Sequence, residues 1–178
     1  GSRKHIGFVG LTDVGDYNNG KIKKHEETLS EKEQQQLQLF LRWQAVLKPV
    51  LLTFPPVNGL NEKLINLSSR LPLLFETYFQ KDKQTHRIWA VTDTNDINEI
   101  IAMMRRDVDA AYIADGHHRT TTMALMNERL KEDHPEFDFS QLFCAYFASD
   151  QLDIRDYNRV VEGLQEISPA RFMASLSQ

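Results

Sequence analysis

The sequence predicts an α+β fold: one domain over residues 1–178, with a small mixed sheet and flanking helices. Three observations lead there. Apolar residues recur at helical spacing in some segments and as short β-branched or aromatic runs in others. The two kinds of segment do not alternate as regular βαβ units, which disfavours a doubly wound sheet. No internal repeat or low-complexity linker divides the 178 residues.

The elements follow in order. His5 to Leu11 reads as a short strand bracketed by glycines. Asp16-Tyr-Asn-Asn-Gly20 is a turn, because Asn and Gly tolerate positive φ. Ser30-Glu-Lys-Glu33 has capping-box spacing and opens a helix over 31–47, with Leu37, Phe40, Leu41, Gln44 and Leu47 recurring at helical spacing. Pro49 ends it, and Val50 to Phe54 forms a strand. Beyond Pro55-Pro56, Leu60, Leu64, Leu67 and Leu71 mark an amphipathic helix. Leu73–Phe79 and Thr85–Val91 flank a polar turn and predict a β-hairpin. Asp93 to Asp96 offers N-caps for a helix with Ile97, Ile100, Ile101 and Met104 on its stripe. Ala110 to Ala114 is a strand running into Asp115-Gly116, and Thr120 to Lys131 is the next helix. Leu142 to Ser149 is an apolar strand, turned by 150–153 into a second strand through Arg155. From Asn158 the chain is partly helical, with a frayed tail over about 165–178. Trp43 and Trp89 sit in apolar patterns and are assigned to the core.

Composition narrows the function classes. Hydrophobic residues make up 41% and charged residues 26%, with a net charge of −4. A chain of mildly acidic balance without a helix-turn-helix pattern is not expected to bind DNA. No apolar run approaches the ~18 residues of a membrane span, so no membrane partner is expected. Cys144 is the one cysteine and lies in an apolar run, which suits a buried, inert thiol. With no signal peptide visible, a cytoplasmic location is expected. Gly1-Ser2 has the look of a tag-removal scar, so the piece is expected to come from a longer protein.

The chemistry concentrates at Asp115-Gly-His-His-Arg-Thr-Thr-Thr122, between a strand and a helix. Gly116 lets the backbone approach a ligand or take positive φ. The helix that follows opens with amide groups that lack internal acceptors, and these attract an anion. His117, His118 and Arg119 add donors at the same end, and Thr120, Thr121 and Thr122 add hydroxyls. Cations at a helix N-terminus oppose its dipole by about 0.3–1 kcal/mol each, so they make most sense with an anion between them. The bland alternative is a helix capped by Asp115, with exposed histidines. A zinc site on His117 and His118 is disfavoured, because adjacent helical residues point about 100° apart. A magnesium ion carried by a nucleotide, with Asp115 as a ligand, fits better.

The run Tyr112-Ile-Ala-Asp-Gly-His-His-Arg119 resembles the signature of DUF1015, a large uncharacterised bacterial and archaeal family. Asp16-Tyr-Asn-Asn-Gly-Lys-Ile-Lys-Lys-His-Glu-Glu-Thr-Leu29 resembles its His-Glu-x-Thr motif, and Asp156-Tyr-Asn-Arg-Val-Val161 a third block. The resemblance implies a central fragment of a longer chain. This chain departs from the family pattern at Glu33-Gln-Gln-Gln36, where an acidic residue and a following Arg are common. Asp-Gly-His-His-Arg is also similar to a motif of nucleotide-dependent free-serine kinases of the ParB/sulfiredoxin fold. That likeness implies a ParB/sulfiredoxin-like core and nucleotide phosphates held at residues 115–121. It implies ADP or ATP with magnesium as cofactor, a general base at Glu26 (Glu27 second), and His25 and His118 at the catalytic centre.

Three functions compete. The first is a nucleotide-dependent phosphotransferase acting on a small, serine-like alcohol. The second is a non-catalytic nucleotide-binding regulatory module. The third is a metal-dependent hydrolase using His25, His117 and His118.

Overall fold

The computed structural model describes residues 4–25, 30–46, 48–132, 134–154 and 167–176, with the side chains of residues 30–33 and 176 left aside. In chain order the elements are β1 (Phe8–Asp13), α1 (Gly15–Asn18), β2 (Ile22–Lys23), α2 (Ser30–Trp43), β3 (Val50–Phe54), α3 (Leu60–Arg70), β4 (Leu73–Phe79), β5 (Gln84–Trp89), α4 (Thr94–Asp107), β6 (Ala111–Asp115), α5 (His117–Arg129), β7 (Gln141–Ala148), a 3₁₀ turn (Ser149–Gln151) and α6 (Pro169–Leu176). Five strands make one mixed sheet in the order β1-β7-β3-β6-β2, and β4 and β5 pair as a separate antiparallel ribbon. The fold is α+β, as the sequence predicts.

Alternation along the strands decides where the core lies. Val50, Leu52 and Phe54 of β3, Leu142, Cys144 and Ala148 of β7, and Ala111 and Ile113 of β6 are buried on one face. Towards one end of that face α2 and α5 cover it with Leu37, Phe40, Met123 and Met126. Towards the other, Leu60, Leu64 and Leu67 of α3 and Ile100 of α4 pack around Phe54 and Ala148. Each fully buried Leu, Ile or Phe contributes about 1.5–3 kcal/mol through burial alone. Asp96, in the first turn of α4, is buried and bonded to α3 through Lys63 Nζ at 2.9 Å and Arg70 Nη2 at 2.5 Å. Asp93 caps α4, its side chain accepting from the amides of Asn95 and Asp96.

Several expectations are corrected. β1 runs two residues further than predicted, to Asp13, and α1 and the two-residue β2 carry too few apolar residues to show a period. α2 stops at Trp43, because Gln44 takes a left-handed φ of 51° and its amide closes on Phe40 O. Leu47 and the side chains of the capping box lie outside the described residues. Trp43 is 60% exposed, with Arg42 over its ring, and is not a core residue; Trp89 is half-buried. Ile97 and Ile101 stay largely exposed while Ile100 is buried, so the stripe of α4 is narrower than predicted. α5 begins at His117 rather than Thr120, since Gly116 turns the chain straight into it. No second strand forms within 150–154: after the 3₁₀ turn, Gln151 Oε1 accepts from Ile6 N–H, and Gln151 O is bonded by the His5 ring. Arg155 lies outside the described residues.

Candidate functional site

β6 ends at Asp115 and α5 starts at His117, and the whole turn is Gly116 with φ of 104°. A β-carbon there would also stand 2.8 Å from Arg119 Nη2 and 3.2 Å from its Cζ and Nε. The guanidinium thus folds back over the glycine. Its Nη2 donates to Asp115 Oδ2 at 2.7 Å and to Pro49 O at 3.1 Å. Asp115 is 72% exposed at its side chain and Arg119 22%, so the pair sits at the mouth of the site rather than within the core. Such a pair is screened by water and adds little stability.

The first turn of α5 contains no acidic residue, and Gly116 offers no side chain as a cap. The first intrahelical amide bond is Thr120 N–H to Gly116 O at 3.0 Å. The amides of the opening turn therefore precede any acceptor of their own helix, and the positive end of the dipole is left uncompensated by carboxylates of that turn. His117 is buried, and its Nε2 accepts from the His25 amide at 3.5 Å while the two rings meet edge-on at 4.5 Å. His118 Nδ1 and Arg119 Nε are buried without a hydrogen-bond partner among the described residues. Buried polar nitrogens in that state are costly and point to a group that would satisfy them.

A cavity of about 260 Å³ opens at this turn, lined by Asp115, Gly116, His117, His118 and Arg119 together with Gln35 and Gln36 of α2 and Ala114 of β6. The structure thus brings His25 and residues 115–119 together. Thr120 is buried with its hydroxyl on Gly116 O, and the Thr121 hydroxyl bonds Tyr17 OH at 3.2 Å. Glu26, Glu27, Asp156, Asn158 and Arg159 lie outside the described residues. Among the described residues no group of three His, Cys, Asp or Glu is placed to hold a metal ion. Gln35, Gln36 and the Pro49 carbonyl were not predicted as site members. Polar residues on an amphipathic helix read as solvent-facing, and a backbone carbonyl carries no sequence signal at all. Cys144 is fully buried under α2 and α5, and burial pushes its thiol up to about 11, which fits an inert residue.

The geometry can be set beside known proteins. The profile of the family described as "Protein of unknown function (DUF1015)" matches residues 1–178. The chain belongs to the DUF1015 family. No curated protein and no solved structure matches it. The match takes in the whole of this DUF1015 chain, from the strand of β1 through the His25 segment to the turn at Gly116. The family's description assigns no activity, so the chemistry of this DUF1015 protein rests on the site itself. No helix among its described residues is long and apolar enough to cross a membrane.

Proposed function

We propose that this DUF1015 chain binds the phosphate tail of a nucleotide at the start of α5 and acts as a nucleotide-dependent phosphotransferase on a small alcohol. One observation carries the reading. A left-handed glycine brings an arginine, two histidines and an uncapped helix start to one cavity, with His118 Nδ1 and Arg119 Nε unsatisfied. An anion in that cavity would take hydrogen bonds from His118 Nδ1, Arg119 Nε and the opening amides of α5. The volume of about 260 Å³ suits phosphate groups rather than an entire nucleotide, since pockets for drug-sized ligands run from about 300 Å³ upward.

The residues divide the work. The first turn of α5 and Arg119 stabilise charge on the transferred group. His118 adds a donor. Asp115, exposed and bonded to Arg119, is the residue that would hold a nucleotide-borne magnesium ion, and Arg119 the one that would bind phosphate. Magnesium would supply charge neutralisation on the transferred phosphate. His25 supports His117 from the segment that continues into Glu26, the residue we assign as general base by resemblance to the serine kinases of the ParB/sulfiredoxin fold.

A thermal-shift panel of nucleotides, each with and without magnesium, tests the reading. ADP or ATP with magnesium is expected to raise the unfolding temperature, and Arg119→Ala to remove the rise. Phosphate transfer to serine-like alcohols is expected to fall by about 10²-fold or more in Glu26→Gln, with the thermal response kept. No response to any nucleotide would sink the site, whereas stabilisation without turnover would leave a nucleotide-binding module and end the enzyme reading.

A further inference from the structure

The cavity at Gly116 has mainly polar walls and, at about 260 Å³, takes phosphate groups without the rest of a nucleotide. A wider groove of about 950 Å³ runs along α2, lined among the described residues by Gln34, Gln35, Leu37, Gln38, Leu39 and Arg42. Gln35 lines both, so the two spaces adjoin at that side chain. The walls of the groove are mainly apolar, the reverse of those of the cavity. Gln35, Leu39 and Arg42 recur at i, i+4 and i+7, so one face of α2 leads from the cavity to Arg42.

We propose that this groove holds the nucleoside of the nucleotide whose phosphates lie at the start of α5; the proposal rests on that phosphate reading. Continuity is the first argument. A nucleotide joins a charged tail to a flat, largely apolar base, and here a polar cavity opens beside an apolar groove. Arg42 stands seven residues beyond Gln35, about 10 Å along the helix axis. That length is of the order that separates the phosphate tail of a nucleotide from its base.

The side chains supply the second argument. Leu39, 42% exposed, offers an apolar surface to a base. The Arg42 guanidinium carbon lies 5.6 Å from the centre of the Trp43 ring. A guanidinium stacks on aromatic faces, and every nucleobase presents such a face. Gln34 and Gln38 bring amides that both donate and accept, as ribose hydroxyls and base edges require. The groove carries no carboxylate among its described lining residues, so nothing there repels a polyanion.

Calorimetric titration of the full chain with ATP, GTP, CTP and UTP, and with tripolyphosphate as the same tail without a nucleoside, tests the proposal. Every titration contains magnesium. At least one nucleotide is expected to bind about tenfold or more tighter than tripolyphosphate. Leu39→Ser and Arg42→Lys, both at exposed positions and neither altering the net charge, are each expected to remove most of that preference. Tripolyphosphate affinity and the circular dichroism spectrum are expected to stay as in wild type. Nucleotides that bind no tighter than tripolyphosphate overturn the proposal and leave the phosphate site standing. A preference that survives both substitutions also overturns it, because the nucleoside then lies elsewhere. If neither tripolyphosphate nor any nucleotide binds, both readings fall.

Discussion

Gly116 is under two constraints at once: a φ of 104° and a guanidinium lying within van der Waals reach of the missing side chain. Gly116→Ala is expected to cost about 1–3 kcal/mol in backbone strain, seen as a lower urea midpoint. It should also displace Arg119 and blunt any nucleotide-induced stabilisation. Normal stability together with an intact ligand response would show that the turn is more permissive than its geometry. The need for this glycine was legible in the sequence, because Asp-Gly between a strand and a helix has few other uses. The pairing of His25 with His117 was not, since it links residues 92 positions apart through a strand too short to show a period.

The junction of α3 and α4 shows how one residue ties two elements together. The Asp96 carboxyl is held below the ordinary aspartate range, first by the Lys63 hydrogen bond and then by that of Arg70. The folded-state pKa therefore lies below the unfolded one. The stability linked to Asp96 is fully present above about pH 4 and is lost as pH falls through the depressed folded value. Asp96→Asn is expected to lower the unfolding temperature at pH 7 and to flatten its decline in acid. An acid profile identical to wild type would contradict the assignment. At the level of elements, the Asp93 cap and the leucine stripe of α3 followed from local chemistry and were legible. The end of α2 did not, because no local rule required Gln44 to turn left-handed.

Across the whole molecule, stability rests on the sheet face that α2, α3, α4 and α5 cover. Leu52 is fully buried at its centre, and Leu52→Ala is expected to cost about 2–5 kcal/mol, measured by denaturant unfolding. A loss below about 1 kcal/mol would mean that the helices close over the gap. The sequence by itself determined the α+β class, most strands and helices, the family and the turn that gathers His117, His118 and Arg119. These follow from periodicity, caps and glycine chemistry, all of which act over a few neighbouring residues. Only the tertiary structure decided the strand order, the insertion of β3 between β7 and β6, and the meeting of Gln35, Gln36 and Pro49 O with the turn at Gly116. It also decided which apolar residues stay outside. Val9, Leu11 and Trp43 carry the same hydrophobic signal as the core and stand exposed. Burial depends on which elements pack over which face, a property of long-range contacts that no local pattern encodes.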